Sequence, residues 1–159
     1  MSNANAQAYL RTKVLTASPA ELRLLLLDGA IRFAQMMRDG LEATDHEKIY
    51  EGSSNCRAIV TELITSLKPE VNPELCERLN GIYTFIFSRL VEAMSEKSTE
   101  IVDEVLKLLV YERETWAMLV QNIARSGASE GLKADTSSPG QTPVSNPGST
   151  LGGRVSISG

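Results

Sequence analysis

Residues 16–22 read Thr-Ala-Ser-Pro-Ala-Glu-Leu, a pattern that predicts the start of a helix. Ser18 can accept hydrogen bonds from the first free backbone N–H groups, and Pro19 stands at the first helical position, where a missing N–H costs nothing. Glu21 falls three residues after the cap and completes a capping box. The helix continues over residues 24–31 as Leu-Leu-Leu-Leu-Asp-Gly-Ala-Ile, which is unusually apolar.

A helical wheel separates the apolar positions of this helix into two stripes on nearly opposite sides. The first stripe contains Leu22, Leu25, Leu26, Gly29, Phe33, Met36 and Met37, and the second contains Leu24, Leu27, Ile31 and Ala34. A surface helix normally needs only one such stripe. Two explanations stay open: the helix packs against two neighbours, or one stripe or a groove beside it is left for another chain.

Three further helices are predicted by similar boundary signals. Asp45 can cap a helix over about residues 46–67, Asn72 and Pro73 start one that runs to about residue 94, and a last one covers about residues 99–125. The connections are short, which favours antiparallel neighbours. The sequence therefore predicts an all-α fold, an antiparallel up-and-down four-helix bundle over residues 18–125.

Small residues (Gly52, Ser53 and Cys56) occupy the first half of the apolar face of the second predicted helix. Such residues either let two helix backbones approach closely or leave a trough that a visiting side chain can fill. The sequence does not choose between these two explanations.

The two ends of the chain differ from its middle. Residues 1–17 are predicted to be an N-terminal arm without regular structure, which carries the apolar residues Tyr9, Leu10, Val14 and Leu15. Either the arm folds back over a groove and leaves when a partner arrives, or it is a disordered leader. Residues 126–159 hold 8 Ser, 7 Gly and 3 Pro, and this composition predicts a disordered, flexible tail.

Composition excludes several classes of partner. The net charge of −4 in 159 residues argues against nucleic acid, whose binders usually carry a basic face. The N-terminus lacks a signal-peptide pattern, and no run approaches the roughly 20 apolar residues that membrane insertion requires. Cys56 and Cys76 lie on separate predicted helices and form no C-x-x-C pair, which is typical of a protein in a reducing compartment. We therefore expect a cytoplasmic protein.

Residues with catalytic potential are too few for an enzyme. The only histidine, His46, lies at a predicted helix start, and a di-metal carboxylate bundle would need Glu-x-x-His on two helices. A phosphotransfer histidine would stand in mid-helix, and a serine or cysteine nucleophile would need a base. We expect no catalytic residues, no metal site and no cofactor.

Several motifs together resemble one known family. They are Ala8-Tyr9, residues 16–22, residues 26–31, Leu79 to Tyr83, residues 89–93 and the stretch from Glu104 to Trp116. Their order and spacing resemble the FliS family of flagellin export chaperones over about residues 8–120. One difference is Leu27, which stands where the family often has tyrosine.

The resemblance implies a cytosolic protein that binds the C-terminal segment of flagellin. It would prevent premature polymerisation and aid delivery to the flagellar type III secretion apparatus. Export-gate components and, without flagellin, a second copy of the chain are further candidate partners. The alternative is a self-associating helical adaptor or regulatory module for another secretion substrate.

Candidate flagellin-binding residues follow from the motifs and the apolar stripes. Tyr9 occupies the position of the family's N-terminal tyrosine. The full set is Tyr9, Leu10, Val14 and Leu15 in the arm, and Leu24, Leu27, Ile31, Tyr83 and Phe87 along a groove.

Overall fold

Five helices make up the part of the chain that the structure describes. The computed structural model describes the backbone of residues 2–136 and the side chains of residues 3–128. The helices are α1 (Ser2–Thr16), α2 (Pro19–Ala43), α3 (His46–Thr65), α4 (Pro73–Glu96) and α5 (Thr99–Thr136), and the described residues contain no strand. The all-α prediction is confirmed.

Two units are separated by their internal contacts, residues 1–122 and residues 123–159. In the second unit the described side chains, 123–128, are all exposed. The first unit contains the core and all the contacts described below.

Helix starts follow the predicted capping residues. Ser18 Oγ accepts from the Glu21 backbone N–H at 3.2 Å, and the Ser18 N–H donates to the Glu21 carboxylate at 2.8 Å. Asp45 and Asn72 each accept from the backbone N–H three residues later, both at 3.1 Å. Each cap contributes about 1 kcal/mol by satisfying a donor that the helix leaves free. The predicted starts of α2, α3 and α4 are confirmed.

Both apolar stripes of α2 are packed. Leu27 and Ala34 from the second stripe and Met37 from the first are fully buried. Helices α2 to α5 all contribute to one apolar core, which comprises Leu27, Ala30, Ala34, Met37, Ile49, Cys56, Val60, Leu63, Leu79, Tyr83, Ile86, Leu90, Ala93, Ile101, Val102, Val105 and Leu109. Leu27 and Ala34 of the second stripe therefore pack inside the chain, whereas Leu24 and Ile31 of the same stripe are only partly buried.

The backbones of α2 and α3 approach closely at glycine. A Cβ atom added at Gly52 would lie 2.5 Å from Met37 N and 2.8 Å from Phe33 O. One added at Gly40 would lie 2.8 Å from Ile49 N. Of the two explanations for the small residues of α3, close approach is confirmed, and the trough is absent at Gly52.

Ion pairs join α2 to α5 at two levels. Arg38 Nε donates to Asp103 Oδ1 at 2.5 Å, and Arg113 Nε donates to Asp28 Oδ1 at 2.8 Å. Arg38, near the end of α2, thus contacts the start of α5. Asp28, nearer the start of α2, contacts a later turn of α5. Both pairs are partly exposed to solvent, so they contribute little to stability.

The N-terminal arm differs from its prediction, because residues 2–16 form helix α1. This stretch contains no glycine or proline and is rich in alanine, leucine, glutamine, arginine and lysine, which favour helix. Its apolar side chains are exposed: Tyr9 by 66%, Leu10 by 44%, Val14 by 45% and Leu15 by 78%. None of the four side chains is buried.

The last helix is longer than predicted. It was expected to end near Arg125 but continues to Thr136. Residues 126–159 as a whole are rich in serine, glycine and proline, but the first proline among them is Pro139. Alanine, leucine and lysine precede it and favour continuation of the helix. The predicted disorder of residues 137–159 lies outside the described residues.

Gly52→Ala should destabilise the protein by about 1–3 kcal/mol, because the new methyl group would collide with the backbone of α2. Gly81→Ala is the matched control, since a Cβ there meets nothing within 4 Å, and it should stabilise α4 by up to about 1 kcal/mol. Urea unfolding measures both changes. A Gly52→Ala variant as stable as wild type would contradict the close approach.

Candidate functional site

Reactive groups are scarce in the described residues. No group of three His, Cys, Asp or Glu side chains there lies close enough together to hold a metal ion. His46 is exposed at the first position of α3. Burial raises the pKa of the Cys56 thiol to about 12, and its Sγ donates to the Ala30 carbonyl at 3.4 Å. Cys56 is therefore an unreactive core residue.

A cleft of about 460 Å³ lies where the end of α1, the first turns of α2 and the later turns of α5 meet. Its walls are partly apolar and partly charged, and the Asp28–Arg113 ion pair belongs to them. The lining residues are Lys13, Thr16, Ala17, Glu21, Leu24, Leu25, Asp28, Arg113 and Val120. The mixture suits an amphipathic segment, with apolar anchors and a charged rim.

A second, more apolar groove of about 500 Å³ lies on α4 and α5. It is lined by Glu77, Arg78, Gly81, Ile82, Phe85 and Leu108. Phe85 is 47% exposed, and the absence of a side chain at Gly81 leaves open space beside it. Large exposed apolar side chains in a groove are typical of a surface that contacts another protein.

The predicted site residues of α1 share exposure but not a groove. Tyr9, Leu10, Val14 and Leu15 are all exposed, and the Lys13 ammonium lies 5.9 Å from the centre of the Tyr9 ring. These side chains are accessible to a partner from solution.

The predicted groove residues are divided between the surface and the core. Leu24 lines the cleft and is partly buried. Leu27 and Tyr83 are fully buried in the core, and Ile31 and Phe87 are partly buried against it. The structure therefore does not bring these five residues together on one accessible surface. Leu27 and Tyr83 lie in the core, where a partner cannot reach them.

A polar cluster that the sequence analysis did not single out lies inside the first unit. Arg23 and Glu112 are buried, with 8% and 5% of their surfaces exposed. The Tyr83 hydroxyl lies between them: it accepts from Arg23 Nη1 and donates to Glu112 Oε2, both at 3.4 Å. The Arg23 guanidinium carbon lies 5.1 Å from the centre of the Trp116 ring. A charged residue beside an apolar stripe was the only available signal in the sequence.

Burial dominates the protonation of this cluster. It raises the pKa of the Glu112 carboxyl above its ordinary 4.5, because the penalty on the charged form exceeds the help from Tyr83, Trp116 and Arg23. Burial, followed by the charge of Glu112, raises the pKa of Tyr83 to about 12. Tyr83 therefore keeps its hydroxyl proton at neutral pH and can donate it.

Glu112→Gln should become more stable relative to wild type as the pH rises above 4.5. Because the pKa of Glu112 is raised in the folded state, this group adds to the free energy of unfolding of the wild type. That contribution is fully present below pH 4.5 and is lost as the pH rises through the folded-state pKa. Glutamine does not titrate, so urea unfolding of both proteins between about pH 4.5 and pH 7.5 measures the difference. Glu114→Gln, on the exposed side of α5, is the matched control, and a difference that shrinks with rising pH would contradict the assignment.

The fold and the surface define a class of protein. Exposed apolar side chains and grooves on a helical core are typical of a protein that binds other proteins. None of the helices between residues 2 and 136 has the length and apolar character needed to span a bilayer.

Comparison with known proteins identifies the family. The family described as "Flagellar protein FliS" matches residues 1–123. The flagellar secretion chaperone FliS of Bacillus subtilis (strain 168) is 29% identical over 115 residues, covering 72% of this chain and 85% of that protein. The flagellar secretion chaperone FliSB of Pseudomonas aeruginosa is 29% identical over 113 residues, covering 69% and 87%.

The flagellar secretion chaperone FliS of Salmonella typhimurium (strain LT2) is 29% identical over 117 residues, covering 73% of this chain and 87% of that protein. The chain belongs to the FliS family, which is a family of chaperones and not of enzymes. The resemblance inferred from the sequence motifs is confirmed.

Proposed function

We propose that this chain is a cytosolic export chaperone that binds the C-terminal region of flagellin. Binding would keep flagellin from polymerising early and aid its delivery to the flagellar type III secretion apparatus. The observation that carries the proposal is the family match over residues 1–123, which includes every buried residue of the apolar core. The relatives are named as flagellar secretion chaperones, and flagellin is the export substrate that we assign to this one.

The described surface supports a helix-in-groove mode of binding. An amphipathic helix places apolar side chains three or four residues apart into a groove. The cleft beside α1 and the groove on α4 and α5 each combine apolar walls with charged residues at the rim, such as Asp28 and Arg113 in the first and Glu77 and Arg78 in the second. We propose that flagellin contacts Leu24 in the cleft and the exposed side chains of α1.

We further propose that α2 to α5 form the antiparallel, up-and-down four-helix bundle expected from the sequence. Contacts in reverse order along the chain support it: Arg23, early in α2, donates to Ser66, just after α3. Arg89, late in α4, donates to Glu104, early in α5. Such a bundle would present a long, rigid surface to a bound segment.

Co-purification tests the function directly. The full chain is expected to retain full-length flagellin and to lose flagellin that lacks its last ~40 residues, a length that provides one or two helices for a groove. Binding to both forms of flagellin, or to neither, would contradict the proposal. If the chain does not bind flagellin and sediments as a dimer, this result would instead favour the self-associating adaptor.

Tyr9→Ala should weaken flagellin binding about tenfold, a loss of about 1.4 kcal/mol, because an exposed aromatic anchor is removed. Tyr50→Ala is the matched control, since Tyr50 on α3 is 64% exposed and Tyr9 is 66% exposed. Calorimetric titration and thermal unfolding measure affinity and stability together. If the Tyr9 variant loses stability in proportion to affinity, or if the Tyr50 variant weakens binding equally, Tyr9 does not contact flagellin.

A further inference from the structure

Arg23 and Glu112 are the two charged side chains that are buried in the described part of the chain. Buried charges are costly unless hydrogen bonds and an opposite charge compensate them. The two side chains form no direct ion pair in the structure, and the Tyr83 hydroxyl joins them. These contacts form within the chain itself and do not depend on the assignment of flagellin to the cleft.

Arg23 joins α2 to three other helices. Its Nη1 and Nη2 atoms donate to the Leu63 carbonyl at 3.5 Å, and Nη2 also donates to Ser66 Oγ at 3.0 Å. Both acceptors lie at the C-terminal end of α3, where free carbonyls and the helix dipole favour a cation. From the same position Arg23 reaches Tyr83 of α4 and the ring face of Trp116 of α5.

Glu112 provides the compensating charge from α5. Its Oε2 atom accepts the Tyr83 hydroxyl proton, and Trp116, one turn further along α5, helps to keep the pKa of the Glu112 carboxyl from rising further. If α5 moved away from α2 and α4, Glu112 would lose the Tyr83 hydroxyl and Arg23 would lose both its nearby anion and the Trp116 ring. The contacts that α5 makes with this cluster would therefore be lost together.

The network lies behind the walls of the cleft. Arg23 is followed on α2 by Leu24, and Glu112 is followed on α5 by Arg113, and both of these neighbours line the cleft. Residues of both α2 and α5 line the cleft, so a change in the separation of these two helices would change its width. We propose that Arg23, Tyr83 and Glu112 form a buried conformational lock that holds α5 against α2 and α4, so that the cleft widens only when the contacts of α5 with Tyr83 and Arg23 break.

Hydrogen exchange of the full chain without a partner tests the lock. In Arg23→Met, the amides of residues 106–116 in α5 should exchange at least tenfold faster than in wild type, while the amides of α2 and α3 around Gly52 change less than threefold. The cause is the unpaired Glu112 carboxylate, which favours separation of α5. In Tyr83→Phe both charges remain but the bridge is lost, so the same amides should exchange faster by a smaller factor.

The double variant Arg23→Met with Glu112→Gln distinguishes a coupled lock from a loss of packing. Because it leaves neither charge unpaired, α5 should regain at least half of the protection lost in Arg23→Met, on a logarithmic scale. Arg38→Met is the matched control, since Arg38 also joins α2 to α5, through Asp103, but at the exposed surface. It should change exchange in residues 106–116 less than threefold.

Three results would overturn the proposal. One is an Arg23→Met variant whose α5 exchanges as in wild type, and another is an equal loss of protection in every helix, which indicates global destabilisation. The third is a double variant that exchanges as fast as Arg23→Met or faster. If Arg23→Met does not fold, Tyr83→Phe decides: unchanged exchange in α5 refutes the lock, and selective acceleration supports it. None of these measurements uses flagellin, so failure of the lock and failure of the proposed function are distinguishable.

Discussion

The packing of α2 on two sides is the constraint on which the rest of the structure depends. One side approaches α3 so closely that Gly52 has no room for a Cβ atom, and Leu27 and Ala34 on the other stripe are fully buried in the core. Since interiors are close-packed, a helix held on two sides cannot shift without moving its neighbours. The large apolar side chain of α2 that stays exposed is Leu22, near its start, and Leu24, two residues further on, is partly buried.

The exposed apolar surface of the described residues is concentrated on α1, α4 and α5. Tyr9 and Leu15 stand out from α1, and Phe85 forms one wall of the α4–α5 groove. These side chains contribute little to the stability of the fold, because they remain largely in water and only buried apolar area stabilises the folded state. Their burial against another chain would provide binding free energy for a partner of this chaperone.

The starts of α2, α3 and α4 could be predicted because each depends on a side chain within three residues of the backbone group that it caps. The length of α5 was predicted less well, since average composition hides the helix-favouring residues before Pro139. The arm was predicted without regular structure because it is mostly polar, although many of its residues favour helix. Of the candidate site residues, Tyr9 is exposed on α1, whereas Tyr83, which was placed along the groove, is fully buried.

By itself the sequence determined the all-α class, the helix starts, the two-sided character of α2 and the family, because these follow from local capping, periodicity and ordered motifs. Only the tertiary structure decided that small residues in α3 serve close packing and that the side chains of α1 are exposed. It also brought Arg23, Tyr83 and Glu112 together from three helices. The reason is that burial and pairing across the chain depend on how helices meet, which no spacing within a single helix specifies.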